Sequence, residues 1–413
     1  MRKEWRRLAS RLVASSVPFV LAVCGLGACG QDKAAPPPPP PPAPPSAPPN
    51  TTTTPTSVPP GTKLSSQEAP ADWKRLLPPG ADATLIRYRS VSGLDGSATE
   101  VGGVVLTPAG PAPKEGWPII TVGHGLTGVR GDCGAAEHPL LASVTKRLAP
   151  LVKAGYLVVM SDYQGLSSAG THPFLDPKTA AYNLIDAVAA ARQLVPQHSN
   201  KWAAMGHSQG GQAAWAALEH AKEYGKSFQF VGAVALAPAV NGAAAFDAAL
   251  HGKLTKLQES LFPALIAGYL ARHPDGKWED FLSGALLENH DVLLSCAPED
   301  MQKRAAVLSR ITPGDVVPDT EQAQAKLRAW LEEVSLPKTA GDGPLLVVQG
   351  AKDELIEPEW TREAVRQGCA LGLRVQEIVR PGQGHADVED DKDVLDWLGA
   401  RFAGDQPAPT SCE

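Results

Sequence analysis

The sequence has no block of basic residues beyond its N-terminal segment, and its net charge is -6. Nucleic-acid-binding proteins need a basic patch to neutralise phosphates, so this charge balance argues against a nucleic-acid partner. Apolar side chains are also almost missing between Pro36 and Val58. A stretch without them cannot bury a core, and it is predicted to remain extended.

Acidic residues are absent from Leu12 to Ala28, a mostly apolar run that follows a basic N-terminal segment. This arrangement is typical of a secretory signal peptide, predicted over residues 1–28. The run ends in Leu26-Gly27-Ala28-Cys29, which resembles the lipobox of bacterial lipoproteins. Cys29 is therefore the predicted lipidation site, through which lipid would anchor the chain to a membrane. The alternative is an ordinary cleavage site that happens to precede a cysteine, and Cys24 is a weaker candidate.

Residues 29–65 form the predicted tether, which is rich in Pro and Thr and includes seven consecutive prolines, Pro36 to Pro42. Polyproline extends by about 3.1 Å per residue, so this segment could hold a folded domain away from a membrane.

The rest of the chain is long enough for one large domain with an insertion. The predicted boundaries are a core over 66–240 and 340–405, a cap over 241–339 and a C-terminal tail over 406–413.

Cysteine is scarce, with six residues in the whole chain. Four of them follow the predicted leader and lipidation site: Cys133, Cys296, Cys369 and Cys412. An even number of cysteines in an exported chain indicates disulfides, and four cysteines allow three pairings.

Short apolar segments alternate with stretches of helical periodicity through the folded part. Helices are indicated over 178–195 and 388–402. Strands are predicted over 102–106, 118–122, 156–160, 202–205, 231–236, 345–349 and 374–379. Continuous apolar strands separated by helices are typical of a mostly parallel sheet covered on both faces, so the predicted fold class is α/β.

Ser208 lies in Gly206-His207-Ser208-Gln209-Gly210, between a short apolar strand and an Ala-rich stretch of helical character. A serine in this context, with glycine two positions to either side, is typical of a nucleophile elbow. Side chains at the glycine positions would collide with the neighbouring strand and helix. Ser208 is therefore the predicted nucleophile. The alternative is a chance match in a glycine-rich chain.

An acid and a base follow in the order expected for a Ser-His-Asp triad. Asp353 follows the strand 345–349 by a tight turn, and His385 lies between a later strand and the last helix. The order serine, aspartate, histidine is that of α/β-hydrolases. In this triad the serine attacks an acyl carbonyl, the histidine takes its proton and the aspartate orients the imidazole. Glu354 and Asp342 are the alternative acids.

The oxyanion of such a reaction needs hydrogen-bond donors, which main-chain N–H groups can supply. Gln209, at the start of the helix after Ser208, is one predicted donor. The loop that begins with His124-Gly125 should provide the second, from Leu126 or Thr127. A plain glycine turn is the alternative for this loop. His124 is not assigned as the base because it follows the wrong strand.

Between residues 241 and 339 apolar residues recur at helical spacing, as from Leu254 to Tyr269. This pattern predicts a helical cap inserted over the triad. The apolar face of the cap either lines a pocket for an acyl chain or packs on the core.

The chain resembles the secretory lipase family of α/β-hydrolases, which includes fungal lipase A and many exported bacterial esterases. The likeness rests on the segments 123–128, 161–166, 170–175 and 206–211 and on the surroundings of the predicted acid and base. It implies an α/β-hydrolase fold with an inserted helical cap, a Ser-His-Asp carboxylester hydrolase, no cofactor or metal, and an acyl ester or lipid substrate.

The resemblance also implies disulfides, with Cys133 paired to Cys296 and Cys369 to Cys412. The sequence also departs from the family. Ser167 stands where relatives usually have glycine, Thr127-Gly128 runs into Val129-Arg130-Gly131-Asp132, and Cys133 is followed by Gly-Ala-Ala. The details of the oxyanion loop and the preferred acyl length therefore do not transfer.

The leading hypothesis is an exported, membrane-anchored esterase or lipase that acts as a monomer, although the sequence does not determine the oligomeric state. A serine peptidase of the same fold is the first alternative. A catalytically silent surface lipoprotein that binds ligands is the second. An intact triad in hydrolase order argues against the silent protein, because a binding module has no need of these three residues.

Overall fold

The computed structural model describes residues 58–138, 144–388, 392–405 and 407–412. The predicted signal peptide, Cys29 and the tether up to residue 57 lie outside these residues. The described residues belong to one compact unit. Within the described residues no helix combines the length and the apolar character needed to cross a membrane.

A nine-stranded sheet organises the described part of the chain, in the order β1-β2-β3-β5-β4-β6-β7-β8-β9. Its strands, β1 to β9, are Lys63–Glu68, Asp82–Val91, Ala98–Thr107, Trp117–Gly123, Leu157–Ser161, His198–His207, Gln229–Leu236, Leu345–Gly350 and Val375–Arg380. The pairs β1–β2, β2–β3 and β3–β5 are antiparallel. The other five pairs in this order are parallel. The predicted mostly parallel α/β sheet is confirmed.

The apolar character of the central strands follows from burial on both faces. Every residue of β5 and β8 is buried. Successive side chains of a strand point to opposite faces, and Val104 and Val105 of β3 accordingly belong to different apolar clusters. A strand that contributes to both clusters needs apolar residues at consecutive positions, and this is the pattern seen in the sequence.

Helices cover both faces of the sheet. In chain order, α1 to α13 are Ala71–Leu76, Val144–Lys153, Pro177–Leu194, Gln209–His220, Gly242–Leu250, Lys256–Glu259, Phe262–Arg272, Gly284–Glu288, His290–Leu294, Pro298–Leu308, Glu321–Val334, Pro358–Ala370 and Lys392–Ala403. Short 3-10 helices occupy Trp278–Asp280 and Pro313–Val316. Side chains of α3, α4 and α12 pack on one face, and those of α1, α2 and α13 pack on the other.

The helices α5 to α11 lie between β7 and β8, within the interval predicted as a cap. They bury an apolar cluster that includes Phe246, Leu327 and Trp330 and also takes in Val129 and Phe174 from outside the insertion. The periodic apolar residues of this region therefore hold the insertion together and pack it on the rest of the domain. Leu257 is an exception, because its side chain is 53% exposed.

The structure corrects two predicted boundaries. The N–H of Gly61 donates to Arg89 O and β1 begins at Lys63, so the folded domain starts inside the predicted tether. The edge strand β1 is mostly exposed and polar, and its main-chain hydrogen bonds leave no apolar signal in the sequence. At the other end, the N–H of Ser411 donates to Val375 O, so the predicted tail packs against β9.

Candidate active site

Ser208 lies in the sharp turn between β6 and α4. Its φ of 60° and ψ of -119° are unusual for a residue with a side chain. The N–H of Ser208 donates to Leu236 O, and its own carbonyl accepts from the N–H groups of Gln212 and Ala239. These hydrogen bonds to β7, to α4 and to the chain after β7 hold the turn in its strained conformation.

The glycines around Ser208 are required by close main-chain contacts. A Cβ atom on Gly206 would collide with Gly210 O, and one on Gly210 would collide with Gly123 O. Gly123 ends β4, the strand next to β6. The turn therefore fits between the two strands only when both positions lack a side chain, as the sequence indicates.

Asp353 follows β8, and its buried carboxylate is fully engaged. Oδ2 lies 2.8 Å from His385 Nδ1 and accepts from Gln349 Nε2 at 3.0 Å. Oδ1 accepts from the N–H groups of Leu355 and Ile356 at 2.9 and 2.8 Å. The alternative acids Glu354 and Asp342 are exposed. Of the three acids, Asp353 is therefore the one that meets the predicted base.

Opposing effects act on the pKa of Asp353. Burial raises this pKa, whereas the hydrogen bond and charge of His385 and the N–H groups of Ile356 and Leu355 lower it. The favourable contacts outweigh burial, and the pKa lies below its usual value. The carboxylate is therefore ionised and suited to hold the Nδ1–H of an imidazole.

His385 lies in the loop after β9 and, together with Ser208, lines a single cavity. The structure thus brings the predicted nucleophile and base to one cavity, with Asp353 bonded to the imidazole. The rings of His207 and His385 lie 4.7 Å apart, and His207 Nε2 is 2.7 Å from His385 O. Burial lowers the pKa of His207 to about 3, so this ring is neutral and Nε2–H donates.

A second side chain also holds the loop that carries His385. Arg147, a buried residue of α2, donates through Nη1 to Val388 O and through Nη2 to Ala386 O. The sequence carries no signal for this contact, because the residues are 241 and 239 positions apart. Arg147 and His207 together fasten the segment that carries the predicted base.

The three residues predicted as oxyanion donors lie near Ser208. Gln209 is the first residue of α4, and Leu126 and Thr127 line the cavity that contains Ser208. Among the described residues, the main-chain N–H groups of these three residues have no hydrogen-bond acceptor. Thr127 Oγ1 donates to Cys133 O at 2.8 Å, which anchors the loop.

Two buried histidines support this region without lying at its reactive centre. His124 Nδ1 is 2.7 Å from Gly125 O, and burial lowers the pKa of His124 to about 4. His172 Nδ1 lies 2.9 Å from Gln164 O, so this nitrogen donates and Nε2 accepts from Gln209 Nε2 at 2.7 Å. Burial also lowers the pKa of His172 to about 4. His172 thereby fixes the side chain of a predicted oxyanion donor.

Two disulfides join segments far apart in sequence. Cys133 pairs with Cys296, and Cys369 pairs with Cys412, as the resemblance implies. The first links the chain after the predicted oxyanion loop to the insertion, where the N–H of Val129 also donates to Leu294 O. The second links α12 to the C-terminal segment.

The cavity has a volume of about 480 Å³, within the usual range for small-molecule sites. Core residues line one side and residues of the insertion line the other, including Leu261, Leu265, Leu293 and Leu308. The cap therefore contributes to the pocket as well as packing on itself.

Comparisons with known proteins agree with this architecture. Over residues 118–392 the sequence matches the family described as the alpha/beta hydrolase fold. A comparison with curated proteins finds no match. The closed state of Candida antarctica lipase A is similar over 84% of this chain and 83% of its own, with 20% identity and a TM-score of 0.66. A rice cell wall degrading esterase from Xanthomonas oryzae is similar over 84% and 98%, with 19% identity and a TM-score of 0.64.

At these identities the likeness to the solved structures is one of fold. The family match covers more than half of the chain, and the sheet and the serine turn agree with it. The chain belongs to the α/β-hydrolase fold family.

Proposed function

We propose that this protein is a serine carboxylester hydrolase, with Ser208 as nucleophile, His385 as base and Asp353 as the carboxylate that orients the base. The observation that carries the proposal is the 2.8 Å contact between His385 Nδ1 and Asp353 Oδ2, made beside a cavity that Ser208 and His385 share. The strained turn at Ser208 supports the assignment of the nucleophile, because strain of this kind persists where it serves a function.

The reaction follows from the tautomer that Asp353 selects. With Nδ1–H donated to the carboxylate, His385 Nε2 is free to take the proton of Ser208 Oγ as the oxygen attacks the acyl carbonyl. Asp353 stabilises the positive charge of the imidazolium, which then protonates the departing alcohol. Water, activated by His385 in the same way, attacks the acyl-enzyme and releases the acid.

The tetrahedral intermediates place negative charge on the former carbonyl oxygen. The main-chain N–H of Gln209 is suited to bind this oxygen because it lies at the start of α4, next to the nucleophile. The N–H of Leu126 or Thr127 would supply the second hydrogen bond. His172 holds the Gln209 side chain, and the Thr127 hydroxyl anchors the opposite loop.

An apolar cavity favours acyl esters over peptides. Leucines from the insertion form much of its wall, and such a wall gains free energy by covering hydrocarbon at roughly 25 cal/mol per Å². The two similar structures are named as a lipase and an esterase. Acyl esters are therefore the substrate class that we assign to this protein.

The proposal includes export and lipid anchoring at Cys29. The leader, the lipobox-like segment and the proline-rich tether in the sequence support it. Two disulfides also fit an oxidising compartment. Mass spectrometry of the mature protein tests this part, and a mature N-terminus without lipid on Cys29 would contradict it.

A fluorophosphonate probe tests the nucleophile, since an activated serine displaces its fluoride and becomes phosphonylated. The wild type should be labelled and should hydrolyse p-nitrophenyl esters faster than aminoacyl or prolyl amides. Ser208→Ala should show neither labelling nor hydrolysis. Retained labelling of this variant would mean that another serine is activated, and faster amide cleavage by the wild type would indicate a peptidase.

A further inference from the structure

The cavity beside Ser208 contains positive charge without negative charge. The described residues that line it include two arginines, Arg147 and Arg304, and neither aspartate nor glutamate. A site built only for neutral acyl esters has no use for a guanidinium in its wall, because a cation beside hydrocarbon is poorly solvated. The two arginines differ in what occupies their hydrogen-bond donors.

Arg147 has a structural task, since its guanidinium holds the main chain of the loop after His385. Arg304 does not have a comparable one. It lies on α10 in the insertion, is half-buried, and donates through Nε to Val292 O at 3.2 Å. Among the described residues, its two Nη groups have no hydrogen-bond acceptor. Four N–H donors therefore remain for a ligand.

The acidic residue that acts on Arg304 does not occupy those donors. Asp300, one turn earlier on α10, attracts the guanidinium electrostatically, but its Oδ1 pairs with Lys303 Nζ at 2.7 Å. Leu308, one turn later, and Leu293 of α9 line the cavity beside Arg304. Arginine stays charged at every physiological pH, and its planar fork matches carboxylate and phosphate oxygens.

We infer that Arg304 is a specificity-determining residue that binds an anionic group, a carboxylate or a phosphate, carried by the ester substrate in addition to its ester bond. This inference rests on the proposed function and narrows the substrate class to anionic acyl esters. The cap thus supplies both the apolar wall that covers hydrocarbon and the cation that recognises one end of the substrate.

Matched pairs of substrates test this inference. In the first series, the substrates are p-nitrophenyl esters of unbranched acids of increasing length. At each length the acyl chain ends in a methyl group in one member of the pair and in a carboxylate in the other. In the second, a monoacylglycerol is compared with its phosphate. The kcat/KM of the wild type should favour the anionic member at the chain length that spans from Ser208 to Arg304. Preference in the first series alone identifies a carboxylate on the acyl side, and preference in the second alone identifies a phosphate on the alcohol side.

Variants separate the role of Arg304 from general effects of charge. Arg304→Met should lower kcat/KM for the preferred anionic substrate by about tenfold, the value expected for one charge-assisted contact, and leave the neutral partner unchanged. Arg304→Lys should retain part of the preference. Arg310→Met is the matched control, because Arg310 is exposed and pairs with Glu288 on the surface. This control should leave the preference intact.

Equal kcat/KM for both members of every pair in the wild type would overturn the inference. So would an Arg304→Met variant that loses activity equally on anionic and neutral esters, or an Arg310→Met variant that loses the preference to the same extent. Each of these results is compatible with the proposed ester hydrolysis. Failure of the proposed function is a different result, in which no ester is cleaved and Ser208 is not labelled.

Discussion

His207 Nε2 lies 2.7 Å from the main-chain oxygen of His385. His207 immediately precedes the proposed nucleophile, and His385, 178 positions after His207, is the proposed base. This hydrogen bond joins the end of β6 directly to the loop after β9. The relative position of serine and imidazole therefore depends on a neighbour of the serine as well as on Asp353.

Replacing His207 by phenylalanine should remove the hydrogen bond and loosen the loop of His385. We expect kcat to fall by about 10- to 100-fold with little change in KM, because misplacement of a catalytic group affects the chemical step. His207→Gln, which retains an N–H donor, should recover part of the activity. Steady-state kinetics test this prediction, and equal activity of the phenylalanine variant and the wild type would contradict it.

Asp353→Asn should leave the fold intact and greatly reduce turnover. The amide can donate to His385 Nδ1 and stabilise the wrong tautomer, for which a loss of kcat on the order of 10⁴-fold is known in serine proteases. Glu354→Gln is the control, because Glu354 is the exposed neighbour. A measurement of kcat for both variants should separate them by at least two orders of magnitude. Similar values would reject Asp353 as the acid.

Gly210→Ala should abolish activity through a steric effect on the serine turn. The new Cβ would meet Gly123 O, a main-chain atom that cannot move without disturbing β4. We expect a loss of about 3 kcal/mol or more in the free energy of unfolding. Gly399→Ala on α13 is the control, since its Cβ would meet only Tyr156 Oη at 3.9 Å. Urea unfolding of both variants tests the prediction, and a stable, active Gly210→Ala protein would refute it.

The buried His172 gives a pH-dependent contribution to stability. Its pKa is about 4 in the folded protein, below the ordinary value of 6.5, so the neutral form is favoured by folding. The resulting stabilisation is complete above pH 6.5 and is lost as the pH falls towards about 4. Relative to His172→Gln, the wild type should therefore lose about 3 kcal/mol over this range.

The comparison between these two proteins cancels the contributions of the other titrating groups, which include buried and half-buried carboxyls with raised pKa values. Urea unfolding of each protein at both ends of the pH range measures the difference. A difference that does not change with pH would show that His172 titrates normally in the folded state.

The two disulfides should affect activity differently. Replacing Cys133 and Cys296 by serine is expected to cost about 2–5 kcal/mol of stability and to lower kcat, because this bridge joins the chain after the proposed oxyanion loop to the cap. Replacing Cys369 and Cys412 should cost stability but spare kcat, because that bridge joins α12 to the C-terminal segment. Thermal unfolding and kinetics of both double variants test the contrast. Equal effects on kcat would argue against it.

The fold was accessible from the sequence where burial leaves a local pattern. All the predicted strands from 102–106 to 374–379 coincide with β3 to β9. The first two strands were missed for a physical reason. The edge strand β1 is polar, and β2 mixes buried apolar residues with arginines such as Arg87 and Arg89. The polar side chains of β1 give no apolar signal, and the polar residues of β2 interrupt the continuous apolar run that marks the central strands.

By itself, the sequence determined the alternation of strands and helices, the glycine-flanked turn at Ser208 and the chain order of the proposed triad, because each depends on residues close together in the chain or on their order. Only the tertiary structure decided which acid meets His385, how His207 and Arg147 hold its loop, and that Arg304 faces a cavity without acidic residues. These contacts join distant segments. Their geometry is set by strand order and by the packing of the cap, neither of which is encoded in local spacing.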